Sequence, residues 1–261
     1  MKKTFAFRIL ILTLLVCLTA AAQLSAQVLR IAVAANAQQL IKRLQKDFER
    51  KTGIKSEAIV GASGKLTAQI MNGAPYDIFL SADTAFPEQL YAKQFGLQAP
   101  KIYALGSLII CGKTDLDLKN WPKILSAHKA GRIAIANPKT APYGKAAEEA
   151  LEYYQLKSKI SSNLVYAESI SQVNTYIQTG AVELGFTTES FLYENSDQSK
   201  LKWARVDAES YHTISQGAIL LAYAKKGKLT EATKFFNYLS SASAQQIIRK
   251  SGYHLPVVKK S

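Results

Sequence analysis

Two periodicities alternate along the chain. Residues 28–33 form an apolar run broken only by Arg30, with no Pro or Gly, as a buried strand would. Asn36 follows. Then Ala37, Leu40, Ile41, Leu44 and Phe48 share one face of a helix, and Lys42, Arg43, Lys46 and Glu49 take the other. Thr52-Gly53 predicts its end, with Gly in the left-handed position past the last turn. The alternation recurs. Strands are expected at residues 57–60, 77–80, 106–111, 132–136, 164–166, 184–187 and 217–223. Helices are expected over 65–70, 87–93 and 142–154, over 170–177 closed by Gly180, and as two segments within 230–250. This order predicts an α/β class with largely parallel sheets. There is no internal repeat, low-complexity tract or Pro/Gly-rich linker.

The first 26 residues depart from that order. Residues 1–8 are basic and 9–22 are nearly all apolar, and Ala20-Ala21-Ala22 offers a small-x-small cleavage site, with Leu24-Ser25-Ala26 as a second. This is the layout of an export signal. The apolar stretch is shorter than the roughly 20 residues of a membrane span. We therefore expect residues 1–26 to be cleaved and the mature protein to be periplasmic. Leu14-Leu15-Val16-Cys17 offers an alternative, lipid anchoring through Cys17, but Val16 stands where that pattern wants a small residue.

Composition narrows the chemistry. The length of 261 residues is enough for about two domains. The net charge of +14 falls to +11 once Lys2, Lys3 and Arg8 leave with the signal. The remaining cations are scattered, and Trp121 and Trp203 are not interleaved with a basic stretch, so no nucleic-acid partner is expected. Only Cys17 and Cys111 are present, which excludes a disulfide scaffold and a Cys-based zinc site. Cys111, after Leu108-Ile109-Ile110, reads as a small buried hydrophobe. His128, His212 and His254 lack ligand spacing, and Asp77 and Asp83 have no evident catalytic partner. With no nucleophile elbow, Walker loop or dinucleotide fingerprint, no enzymatic activity is expected.

One arrangement repeats at Asn36, at Ser63, at Pro142-Tyr143-Gly144 and at Ser169-Ile170: a strand ends, a small or amide residue follows, and a helix begins. Each helix start leaves about four N–H groups without an intrahelical acceptor, and with the helix dipole these make an anion site. In an open α/β sheet such starts gather at the carboxyl ends of the strands. Lys65 and Lys145 follow the caps and are expected to point away. A neutral cradle of donors suits a fully deprotonated oxyanion, because a protonated one brings a donor that finds no acceptor. Asn and Ser are also the ordinary caps of any helix, so each position has a purely structural reading as well.

Four segments carry a family resemblance: Ala34-Ala35-Asn36, Gly61-Ala62-Ser63-Gly64-Lys65-Leu66, the run Gly73-Ala74-Pro75-Tyr76-Asp77-Ile78-Phe79-Leu80-Ser81-Ala82-Asp83, and Ala141-Pro142-Tyr143-Gly144. Over residues 28–253 the chain resembles the periplasmic molybdate-binding proteins of ABC importers. The resemblance implies a two-lobed periplasmic-binding-protein type II fold, each lobe a mixed, mostly parallel sheet flanked by helices. Lobe one would take residues 27–105 and 216–261 and lobe two 106–215, joined by two crossing strands. Molybdate or tungstate would lie dehydrated between the lobes. Asn36, Ser63, Tyr143 and Ile170 match the ligand-binding positions, and Thr188 stands where the family often has Tyr. These residues would hold the metal through its oxyanion, not by direct coordination. No cofactor is implied. The partner would be the membrane permease of an ABC importer, and the protein a monomer. A sulfate-type oxyanion binder, an exported enzyme on the same scaffold and a cationic surface-binding protein are the alternatives. A phosphate site would need a carboxylate acceptor, and none lies at the four helix starts.

Overall fold

The computed structural model describes residues 28–194 and 201–256. The expected export signal and Cys17 lie outside the described residues. In chain order the elements are β1 (Leu29–Ala34), α1 (Gln38–Thr52), β2 (Ser56–Gly61), α2 (Ser63–Met71), β3 (Ile78–Leu80), α3 (Ala85–Ala92), β4 (Lys101–Gly106), β5 (Leu108–Gly112), α4 (Trp121–Ser126), β6 (Ile133–Ala136), α5 (Pro142–Tyr153), β7 (Leu164–Ala167), α6 (Ile170–Thr179), β8 (Leu184–Thr188), β9 (Lys202–Arg205), β10 (Ile214–Leu220), α7 (Leu229–Tyr238) and α8 (Ala242–Lys250). Short 3₁₀ turns fill several junctions, including Ala35–Ala37 and Glu189–Tyr193.

The strands form two sheets of five with one plan. The first runs β2-β1-β3-β10-β4 and the second β7-β6-β8-β5-β9. In each, the first three strands are parallel and the fourth is antiparallel to both its neighbours. The chain passes from the first sheet to the second at residues 106–108 and returns between Arg205 and Ile214. Each sheet thus receives its fourth strand from a segment that has just left the other. This is the α/β architecture that the alternating pattern and the family resemblance imply.

Period-2 alternation explains the packing. On β1, Leu29, Ile31 and Val33 meet Leu40, Ile41, Leu44 and Phe48 of α1 and Phe235 of α7. Ala32 faces the other way, toward Phe79, Ile219 and the α2 residues Leu66 and Ile70. In the second unit, Ile133 and Ile135 lie in one buried core with Ala146, Ala147 and Ala150 of α5, while Gly185 of β8, the register partner of Ala134, faces Val173 and Ile177 of α6. Gly53 and Gly180, both at φ 71°, close α1 and α6 as the sequence predicts. Cys111 is fully buried, and burial pushes its thiol up to about 12, in keeping with a packing role. Strands β4 and β9 and helix α4 were not expected. Strand β10 starts at Ile214, where the sequence pattern places its start at Gly217.

Two carboxylates flank β3. Asp77, wholly buried, accepts from the Arg30 N–H at 2.8 Å and faces Lys228 Nζ at 3.5 Å, at the opening end of β3. Asp83 accepts from Phe86 N–H and the Ser81 hydroxyl, and burial raises its pKa.

Candidate functional site

Parallel strands of both sheets end at one cavity, and their helix starts meet there. The junctions after β1, β2 and β3 face those after β6 and β7 across a small cavity. Its wall is Ala34, Ala35, Asn36, Ala62, Ser63 and Ala82 from the first unit and Ala141, Pro142, Tyr143 and Ile170 from the second. No charged residue is among them. Five alanines keep the wall close to the backbone. Room for a water-sized group is about 10 Å³, which suits one compact occupant and no extended substrate.

Local sequence explains each wall. In α5, Pro142 occupies the first helical position and has no N–H, and Gly144 and Lys145 donate back to the Ala141 carbonyl at 2.9 and 3.1 Å. Tyr143 is therefore the residue whose N–H leads that helix. A Cβ at Gly144 would lie 2.1 Å from the Ala136 carbonyl, so glycine lets the first turn seat on β6. Helix α2 begins at Ser63 with Ala62 as its N-cap and no side-chain cap. The Ser63 hydroxyl instead accepts the Ala82 N–H at 3.1 Å, which leaves its own proton free to donate. Helix α6 behaves differently: Ser169 caps it conventionally, accepting from Gln172 N–H at 3.4 Å. The N–H of Ile170 stands ahead of that cap at the start of the helix.

Asn36 does not start α1. It sits within the 3₁₀ turn Ala35–Ala37, and the α-helix begins two residues later, at Gln38. Its side chain turns inward. The amide nitrogen donates to Gln216 Oε1 at 2.9 Å and to the Tyr253 hydroxyl at 3.1 Å, and Tyr253 donates back to the Asn36 carbonyl at 2.8 Å. Both amide N–H bonds are thus committed within the protein, which leaves the amide nitrogen no proton for an occupant of the cavity. Thr188 lies outside the cavity wall, one hydrogen bond behind it. Its hydroxyl accepts from Ser190 N–H at 3.3 Å and donates to the Tyr143 hydroxyl at 3.1 Å.

Behind the wall is a buried polar network that the sequence reading did not single out. Tyr103 donates to Gln216 Oε1 at 3.0 Å, and Gln216 Nε2 donates to the Tyr143 hydroxyl at 3.4 Å. Burial holds the phenols of Tyr103 and Tyr143 well above their usual range and pushes Tyr253 up to about 12, so all three are neutral. Glu194, beyond Tyr253, is raised to about 7 by burial, opposed by Arg43 and Lys42. A polar residue within the apolar β10 run was the available signal for Gln216.

Direct bonds join the two units around the cavity. Gly64 N–H donates to the Thr140 carbonyl at 2.9 Å, Ser171 donates to Gln38 Oε1 at 3.1 Å, and Arg43 donates to the Tyr193 carbonyl at 3.1 Å. Lys65 points away from the cavity into an ion pair with Glu168 at 2.6 Å. Lys145 pairs with Glu149 at 3.9 Å on its own helix.

Comparison with known proteins adds a lineage to this geometry. The profile of the bacterial extracellular solute-binding proteins matches residues 29–254. Molybdate-binding protein ModA of Azotobacter vinelandii is 34% identical over 244 residues, covering 93% of this chain and 94% of that protein. Molybdate-binding protein ModA of Rhodobacter capsulatus is 33% identical over 224 residues, 85% of this chain and 86% of that protein. The solved periplasmic molybdate-binding protein of Azotobacter vinelandii superposes with a TM-score of 0.82 at 31% identity, covering 88% of this chain and all of that one.

Proposed function

The chain belongs to the bacterial extracellular solute-binding protein family, and from that membership we propose that it captures molybdate, and tungstate, in the cavity between its two units and delivers it to an ABC importer. In this reading the protein is an exported, periplasmic monomer and not an enzyme. Its lobes, residues 27–105 with 216–261 and residues 106–215, close over the ion. The ion is held by the N–H groups of Asn36, Ser63, Tyr143 and Ile170 and by the Ser63 hydroxyl, with Thr188 acting through Tyr143.

The observation that carries the proposal is the cavity wall: leading helical N–H groups and one hydroxyl donor, with no charged side chain. Such a wall offers hydrogen-bond donors on several sides. It offers no carboxylate to accept a proton from a protonated anion. The balance of charge is left to helix starts and main-chain dipoles. Titration calorimetry of the mature protein tests it. Molybdate and tungstate should bind one per chain, and phosphate should not compete at neutral pH. Equal competition by phosphate would refute the neutral-cradle reading, and tighter binding of sulfate would make the protein a sulfate-type binder.

A further inference from the structure

We infer that Gln216 is a positioning residue for the anion cavity, holding the two halves of the wall in register through one buried amide; the inference rests on the proposed molybdate function. The side chain is fully buried. Its oxygen accepts from Asn36 of the first unit at 2.9 Å, and from Tyr103 at 3.0 Å. Its nitrogen donates to the hydroxyl of Tyr143 in the second unit at 3.4 Å. Gln216 therefore touches a wall residue from each side while touching neither strand–helix junction through its backbone. It is carried by β10, the strand that returns from the second sheet. The pairing of β10 with β4 shifts register between Gln216 and Gly217, an irregularity that re-aims a side chain locally.

The chemistry requires an amide. Two donors converge on one end and an acceptor hydroxyl stands at the other, so the group must accept at Oε1 and donate at Nε2. A carboxylate cannot donate, and a thioether can neither donate nor accept strongly. A protonated carboxylic acid reproduces the amide pattern, with one carbonyl acceptor and one O–H donor. Gln216→Glu is thus a variant whose hydrogen-bonding pattern switches with pH while its shape does not. The groups around it are the neutral phenols Tyr103, Tyr143 and Tyr253, and Glu194, which faces Tyr253 and is raised to about 7. Because Glu194 titrates in both proteins, the quantity that matters is the ratio of variant to wild-type affinity at each pH.

The experiment is molybdate titration of wild type, Gln216→Glu and Gln216→Met at about pH 8 and about pH 5.5, values that bracket the titration of a buried carboxyl. At the higher pH both variants should bind at least about tenfold more weakly than wild type, the effect of leaving buried polar partners unsatisfied behind the wall. At the lower pH Gln216→Glu should return to within about threefold of wild type as its carboxyl takes a proton, while Gln216→Met should not recover. A packing role alone would make the Glu and Met losses equally insensitive to pH, and that result would overturn the inference. Should Gln216→Glu fail to fold, Gln216→Met decides: affinity within about twofold of wild type refutes positioning. Absence of molybdate binding by wild type refutes the ligand assignment, and with it the inference that rests on it.

Discussion

The two halves of the cavity are built on one strand–turn–helix plan and deliver different groups. Ser63 and Ser169 show the difference most plainly. Both follow a parallel strand and stand at a helix start. The hydroxyl of Ser63 leaves its helix for the Ala82 N–H on the neighbouring strand end, whereas that of Ser169 folds back on Gln172 of its own helix. The first half therefore presents a hydroxyl proton, and the second presents main-chain N–H groups with their side chains packed behind. The Tyr143 ring is buried to 1% exposure and its hydroxyl is held by Thr188 and Gln216. The two serines stand one position apart on their helices: Ser63 is the first helical residue, behind Ala62, and its hydroxyl is free to leave the helix, whereas Ser169 is itself the N-cap and its hydroxyl is spent on its own first turn.

The largest expected effect comes from disturbing the second half. A Cβ at Gly106 would lie 1.9 Å from the Tyr143 hydroxyl, so Gly106→Ala must displace that ring. Overpacking of this kind costs about 1–3 kcal/mol or more. Thermal melting should show the loss, and molybdate binding should be abolished because the Tyr143 N–H moves with its residue. Wild-type affinity in the variant would mean that the second half is not organised by Tyr143.

Next is Ser63→Ala. Losing a hydrogen bond to a buried ion should weaken molybdate binding roughly tenfold to a hundredfold. It also orphans the Ala82 N–H, so melting without ligand should report a loss of about 1–3 kcal/mol. Unchanged affinity with lowered stability would reduce Ser63 to the structural role of Ser169.

The matching change in the second half is smaller. Ser169→Ala removes a helix cap worth about 1 kcal/mol and should leave affinity within about twofold. An affinity loss as large as that of Ser63→Ala would erase the contrast between the halves.

The smallest effect concerns pH. The Glu194 carboxyl, raised from 4.5 to about 7 by burial, holds its proton more tightly folded than unfolded. Its influence is absent below the unfolded value, and stability declines as pH rises from about 4.5 through 7. Glu194→Gln should flatten that part of the melting-temperature profile. An unchanged slope would show that Glu194 is not its source.

What could be read beforehand follows from how local each signal is. Helix α1 was legible because Leu40, Ile41, Leu44 and Phe48 mark one face over three turns, and Gly53 marks the end. Strand β9 was not, since its four residues are largely exposed at a sheet edge and carry no apolar alternation. For the site, the strand–helix junctions were legible and the use of their side chains was not. The partners that turn Asn36 inward, Gln216 and Tyr253, lie 180 and 217 residues away. Tertiary neighbours likewise separate Thr188 from the wall it was expected to join.

The exchange of fourth strands between the sheets bears on how the chain matures. The second unit, from β5 to β9, is one continuous segment and can complete its sheet as soon as it is synthesised. The first cannot: the Leu80 position on β3 waits for Ala218 on β10, which arrives only after the whole second unit. In vectorial synthesis or translocation, β3 is therefore an open edge through most of the chain's emergence, the kind of surface that seeds intermolecular pairing. A holdase would find its natural client in that half-built sheet, and a chain cut between Arg205 and Ile214 should keep a folded second unit beside a first sheet that lacks its fourth strand.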